Sequence, residues 1–181
     1  MTGRLAKRYA RALLELAREE SRLEALGEEL TRAVTAFEEP LLRPLVLNPV
    51  IDAGARLRTA KAVAAALGVS KTIENLLGLL AERDRLTILP EIARWYETLV
   101  DEELGRARAV IRSAAPLGAA ERNELIALAT RVTGRREVLA TTEVDPELLG
   151  GAVLDVAGTV YDGSLKAQLA RLMKDMAEGG A

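Results

Sequence analysis

The chain is predicted to be mostly α, with an N-terminal six-helix bundle over residues 1–104 followed by a small α+β domain over residues 105–181. Apolar residues recur at three- and four-residue spacing through the first hundred positions, as one face of each of several short helices requires. After Gly105 that period gives way to strict alternation, as in a half-buried strand. Aromatic residues make up only 3% of the 181 residues, while Ala, Leu, Glu and Arg abound, a mix that favours helices packed through small aliphatic side chains.

The elements follow in order. Leu5, Tyr9, Ala12, Leu13 and Leu16 form the apolar stripe of a first helix, and Leu23, Leu26, Leu30, Ala33 and Phe37 that of a second. Pro40 and Pro44 break the second, leaving room for a short third helix before the Asn48-Pro49 turn. Asp52 caps a fourth, carrying Leu57, Ala60, Val63, Ala64 and Leu67, and Gly68 stops it. Ser70 starts a fifth with Ile73, Leu76, Leu77 and Leu80 inward. Thr87 starts a sixth, with Pro90 in its first turn and Ile92, Trp95, Tyr96, Leu99 and Val100 along it. Beyond Gly105, Ala107, Ala109 and Ile111 alternate with Arg108, Val110 and Arg112 as a strand. A helix from Ala119 to Thr133 has Leu125, Leu128, Ala129 and Val132 as its stripe, Gly134 closes it, and Glu137 to Val144 is a second strand. No Gly/Ser-rich linker separates the halves, so the passage is directly from helix to strand.

The last part is the most specific. Asp145 caps a one-turn helix with Pro146 at its first position, where the missing N–H costs nothing. Gly150 and Gly151 let the backbone leave with positive φ. Val153, Leu154 and Val156 form a strand, Ala157-Gly158 a hairpin turn, Thr159-Val160-Tyr161 the return strand, and Asp162 caps the final helix.

Composition excludes several functions. The net charge of -2 gives no basic footprint for nucleic acid. With no cysteine there are no disulfides, thiolate nucleophiles or thiolate metal sites, and with no histidine there is neither an imidazole base nor a nitrogen ligand for zinc. No cofactor or metal is expected, and no catalytic residues. The apolar runs fall far short of the roughly 20 residues of a membrane span, and Met1-Thr2-Gly3-Arg4 leads into an amphipathic helix without a signal-peptide core. The expectation is a soluble cytoplasmic protein whose membrane association, if any, runs through partners.

The order Val144-Asp145-Pro146-Glu147-Leu148-Leu149-Gly150-Gly151, a short hairpin, then Asp162-Gly163-Ser164-Leu165 and a terminal amphipathic helix resembles the delta subunit of the F-type ATP synthase, the family of the mitochondrial oligomycin-sensitivity-conferring protein. Tyr9-Ala10-Arg11-Ala12-Leu13, Leu79-Leu80-Ala81-Glu82-Arg83-Asp84-Arg85-Leu86 and Ser113-Ala114-Ala115-Pro116-Leu117 agree and stand in the expected order. Arg83, Gly118 and Arg56 depart from the family pattern, where asparagine, serine and lysine are common. The resemblance implies a non-catalytic stator subunit that ties the catalytic head to the peripheral stalk during proton-driven ATP synthesis. It implies a place on the cytoplasmic face of the bacterial inner membrane, peripheral and as part of the complex.

Two surfaces follow. Tyr9 and Ala12 share one face of the first helix, and Asn75 and Leu79 one face of the fifth. If the two helices lie side by side, the small residues Ala12 and Gly78 leave a shallow apolar groove fit for an amphipathic helix, although the same residues also suit plain bundle core. The resemblance implies that Tyr9, Ala12, Asn75 and Leu79 receive the N-terminal helix of the alpha subunit. On the final helix, Leu165, Leu169, Leu172, Met173 and Met176 form a stripe wide enough to pack on the sheet and still leave apolar area. Here the resemblance implies that Leu165, Leu169, Leu172 and Met173 meet the C-terminus of the peripheral-stalk b subunit.

Other features read more plainly. Gly158 to Ser164 has the glycine spacing of a phosphate loop but lacks the lysine and carries Asp162, so turn chemistry explains it. The doublets Glu19-Glu20, Glu28-Glu29, Glu38-Glu39 and Glu102-Glu103 read as solvated faces, Trp95 as packing, and Arg135-Arg136 as a helix C-terminal partner. A helical adaptor of another assembly, or a histidine-free enzyme built on carboxylates, are the competing readings.

Overall fold

The computed structural model describes residues 2–44, 48, 51–156 and 158–178. The chain divides into two compact units, Met1–Val100 and Asp101–Ala181.

The first unit is built of helices α1 (Thr2–Glu19), α2 (Leu23–Glu38), α3 (Ala53–Leu67), α4 (Lys71–Glu82) and most of α5 (Leu89–Leu104). Five full α-helices precede the sheet among the described residues and Arg43 and Pro44 are helical as well, so the count of six is not confirmed. The short extra helix expected before Asn48-Pro49 falls on a stretch of which 45–47, 49 and 50 lie outside the described residues. The last helix begins at Leu89 instead of Thr87, because a 3-10 turn over Leu86–Ile88 comes first.

The inward stripe of α1 is Ala6, Ala10, Leu13 and Ala17, all 3% exposed or less. Of the expected stripe only Leu13 is in the core; Leu5 and Tyr9 are half-buried, while Ala12 and Leu16 are exposed. Three alanines on one face let the α1 backbone sit close to its neighbours, and that close fit outweighs the larger area of the leucines one step round the helix. In α2 the expected Leu26, Leu30, Ala33 and Phe37 are buried, and so is Glu29. Asp52 caps α3 by accepting the Ala55 N–H at 3.2 Å, and Gly68 ends it at φ 61°. Gly78 on α4 faces α3, where an added Cβ would lie 3.4 Å from Leu57 Cδ1, at the edge of ordinary van der Waals contact. In α5, Tyr96 is 1% exposed and its hydroxyl donates to the Leu23 carbonyl at 2.8 Å. Burial, aided by the charge of Glu20, pushes the phenol up to about 12. Lys7 Nζ stands 4.4 Å from the centre of the half-buried Trp95 ring, a cation–π contact between α1 and α5.

The second unit holds a four-stranded sheet in the order β2-β1-β3-β4, with β1 (Arg106–Ser113), β2 (Glu137–Val144), β3 (Ala152–Val156) and β4 (Thr159–Asp162). β1 and β2 are parallel and are joined by the crossover helix α6 (Ala119–Thr133); β3 is antiparallel to both β1 and β4. The core lies between α6 and one face of the sheet: Ala107, Ala109, Ile111, Val138, Leu154 and Val156 against Ala129, ringed by Leu117, Leu125 and Ile126. Register explains this, since Ile111 lies opposite Leu154 and Ala109 opposite both Ala140 and Val156. Leu128 and Val132, placed inward by spacing, are 41% and 42% exposed, because the sheet meets the flank carrying Leu125, Ile126 and Ala129. Gly118 starts α6 with its N–H on the Glu121 carboxylate at 2.9 Å.

One acidic doublet is not a solvated face. Glu29 Oε2 accepts the Ser70 N–H at 2.7 Å, capping α4 from α2, and Glu29 Oε1 takes Arg22 Nη2 at 2.8 Å. Burial pushes this carboxyl up, but hydrogen bonding from Ser70 and the Arg22 guanidinium outweigh it and hold it below its ordinary value of 4.5. A carboxylate stabilised in the folded state contributes above its unfolded titration range and loses that contribution as pH falls through the folded value. Glu29→Gln should therefore lose about 1–3 kcal/mol at neutral pH, and urea titrations should show the gap to wild type closing below pH 4.5.

Candidate partner-binding surfaces

Leu5, Tyr9, Ala12, Leu16 and Glu20 follow one another at four- and three-residue spacing, a continuous stripe along one flank of α1. Thr72, Asn75 and Leu79 do the same on α4, with Arg83 just past its end. Two side-chain hydrogen bonds join the stripes. Arg85 Nη1 donates to the Tyr9 hydroxyl at 3.2 Å, just past the C-terminal end of α4, and Thr72 Oγ1 donates to Glu20 Oε1 at 2.7 Å, at its N-terminal end. The two helices are therefore antiparallel along this seam and tied at both ends.

Between the ties the seam is open. Ala12 and Asn75 are exposed, Leu16 is 44% and Leu79 36% exposed, and Tyr9 is half-buried. The structure thus brings Tyr9, Ala12, Asn75 and Leu79 to one seam. Gly78 is absent from it, being buried and facing Leu57 of α3. Leu16 belongs to it although spacing assigns that residue to the core. A signal for Leu16 is present in the sequence: it continues the series from Tyr9 and Ala12, whereas the alanines define the core side. The loop after α4 is braced from beneath. Arg56, 4% exposed, holds Asp84 Oδ1 at 2.7 Å and the Ile51 carbonyl at 3.1 Å, and Asp84 takes the left-handed conformation at φ 55°.

The second surface is the final helix, α7 (Leu165–Glu178). Its start is locked to the sheet by the glycine-rich segment. Asp145 Oδ1 accepts the Glu147 N–H at 3.0 Å and Pro146 opens a 3-10 turn. Leu149, not Gly150, then takes the left-handed conformation at φ 60°, and Gly151 follows at φ 76°. An added Cβ on Gly150 would stand 2.5 Å from Leu165 Cδ1 and displace that side chain, whereas one on Gly151 would stand 2.5 Å from the Gly163 carbonyl, where only backbone could give way. The approach makes two hydrogen bonds, Leu165 N–H to the Gly150 carbonyl at 3.0 Å and Gly163 N–H to the Ala152 carbonyl at 3.1 Å. The helix cap is Ser164 rather than Asp162. Ser164 is 2% exposed and its Oγ accepts the Ala167 N–H at 3.1 Å, while Asp162 Oδ1 accepts the Ser164 N–H at 2.9 Å. Those Ser164 hydrogen bonds lower the Asp162 carboxyl from its ordinary value. The glycine-containing turn is thus built by backbone and cap contacts, as turn chemistry requires.

Leu165, Leu169 and Met173 are 47%, 54% and 72% exposed, so the sheet does not cover this stripe. The side chains of Leu172 and Met176 lie outside the described residues. No helix among the described residues is long and apolar enough to cross a membrane.

The family model "ATP synthase delta (OSCP) subunit" matches residues 5–176. Among similar curated proteins, ATP synthase subunit delta of Anaeromyxobacter dehalogenans (strain 2CP-C) is 40% identical over 177 residues, 97% of this chain and 98% of that one. That of Myxococcus xanthus (strain DK1622) is 39% identical over 175 residues, covering 95% and 96%. Among solved structures, a chain of the Toxoplasma gondii mitochondrial ATP synthase hexamer shares the fold at a TM-score of 0.65 and 20% identity, covering 96% of this chain and 97% of that one.

Gly151→Ala should cost about 1–3 kcal/mol through its positive φ, and more through the clash with Gly163. Thermal unfolding followed by far-UV circular dichroism would measure the loss.

Proposed function

Because the chain belongs to the ATP synthase delta (OSCP) subunit family, we propose that its two units each grip one partner helix, the first unit holding the head and the second the stalk. The chain is a non-catalytic subunit and its work is mechanical: as a stator it links the catalytic head to the peripheral stalk, so that the head does not turn with the rotor. In our reading the N-terminal helix of the alpha subunit lies in the α1/α4 seam on Tyr9, Ala12, Asn75 and Leu79, with Leu16 extending the contact. The C-terminus of the b subunit lies on the final helix at Leu165, Leu169, Leu172 and Met173. The protein is then peripheral, on the cytoplasmic face of the bacterial inner membrane, and reaches the membrane only through the complex.

The observation that carries this reading is the open seam. Two antiparallel helices tied at both ends leave apolar side chains exposed between the ties, the shape in which an amphipathic helix docks through its own apolar face. Gripping at two places suits the task. While one contact holds, release of the other is followed by rapid rebinding at high effective concentration, so torque is borne without separation.

A carboxylate at the centre of the seam would be buried without a partner on docking. Titrating a peptide from the N-terminus of the alpha subunit into the full chain by calorimetry, Ala12→Asp should weaken binding by about 2–4 kcal/mol. Undiminished affinity would remove the seam from the account. Leu169→Asp should weaken a peptide from the C-terminus of the b subunit by a similar amount while leaving the alpha peptide unaffected, as the same calorimetry would show.

A further inference from the structure

The seam is electrically polar from end to end. Beside Leu5 and Tyr9 stand Arg4 and Arg8 on α1, with Arg83 one turn beyond Leu79 on α4 and Arg85 on the Tyr9 hydroxyl. At the other end Glu15 and Glu19 flank Leu16. Arg4, Arg8, Arg83, Glu15 and Glu19 are all exposed, and none has an ion-pair partner among the described residues. Opposite charges are present at each end but largely engaged: Asp84 is bound to Arg56 at 2.7 Å, Lys71 to Glu74 at 3.0 Å and Arg22 to Glu29 at 2.8 Å, Arg18 has a partner of its own, and Glu82 is exposed near the basic end.

The arrangement runs against the stability of α1 itself. A helix favours acids in its first turn and bases in its last, to complement its dipole. In α1 the first turn has no acid, and residues 2–14 carry Arg4, Lys7, Arg8 and Arg11 without a single carboxylate. Glu15 and Glu19 then fall in the last turns, beside a single base, Arg18. A charge order that opposes local preference, placed beside an open apolar seam, is the pattern of residues held for a partner.

We propose that the seam accepts its partner helix in one direction only, with the partner's acidic end over Arg4, Arg8 and Arg83 and its basic end over Glu15 and Glu19. This rests on the seam being the docking site for the alpha subunit and adds the direction and the charge pattern of the occupant. Apolar burial supplies the affinity, and the charges select orientation and speed the encounter.

The test uses the full chain and a peptide of the host's own alpha-subunit N-terminal segment, spin-labelled at its acidic or at its basic end. Paramagnetic broadening from the acidic-end label should fall on amides near Tyr9 and Arg83, and from the basic-end label on amides near Glu19 and Thr72. The double variant Arg8→Glu/Arg83→Glu should bind the peptide about 10-fold more weakly at low salt. A peptide with its acids changed to lysine should recover the loss, and about 0.5 M salt, where screening acts over roughly 4 Å, should remove most of the difference. Reversed or evenly shared broadening, a double variant within twofold of wild type, or equal binding by a peptide lacking an acidic end would overturn the direction while leaving the seam in place. A wild-type chain that does not bind the peptide at all would overturn the seam reading and this inference with it.

Discussion

The open seam of the first unit is framed by a pair of hydrogen bonds that join α1 to the two ends of α4, Arg85 to Tyr9 and Thr72 to Glu20. Each joins residues far apart in sequence, and together they keep the span between them from being set by packing alone. The core beneath is made by the alanine side of α1 and by Ile73, Leu77 and Leu80 of α4, so the leucines on the flanks are left over. Two further contacts support the arrangement. Glu29 reaches from α2 to cap α4, and Arg56 reaches from α3 to fix the loop that carries Arg85. The open seam is thus a product of polar side chains at its edges and small side chains at its base.

How much of this is legible in the sequence varies with the kind of signal. Helix ends with a local chemical cause, such as Asp52 and Gly68 around α3 or Gly134 after α6, stand where the residues place them. So does the alternating strand at Arg106–Ser113, whose inward residues are the predicted ones. The facing of α1 is not legible, because two adjacent apolar stripes compete on it and only the neighbouring helices decide that the alanine stripe packs. The same holds for α6, where Leu128 and Val132 have the right spacing but the sheet meets the other flank. The role of Glu29 is hidden for a related reason: its partner Ser70 is 41 residues away, and no local pattern reveals a cap supplied from another helix.

At the candidate site the four residues suggested by the resemblance do come to one seam, yet the small residue expected to shape it acts elsewhere. Gly78 faces Leu57 of α3 rather than the seam. Leu16 continues the Tyr9 and Ala12 series and Arg85 lies in the Leu79–Leu86 motif, yet their part in the seam emerges only when the two helices are set side by side. In the second unit positive φ accounts for only part of the glycine pair: it falls on Leu149 and Gly151, while Gly150 lies against the Leu165 side chain. Close approach between segments is a tertiary fact that a single sequence shows only as an unexplained glycine.

The exposed leucines and methionine of the final helix have a bearing on supply. A chain that shows Leu165, Leu169 and Met173 to water is at risk of sticking to itself whenever it is made in excess of what covers it. A cell that produced it alone would face a problem of quality control rather than of torque. Its output is best matched to that of whatever covers the stripe.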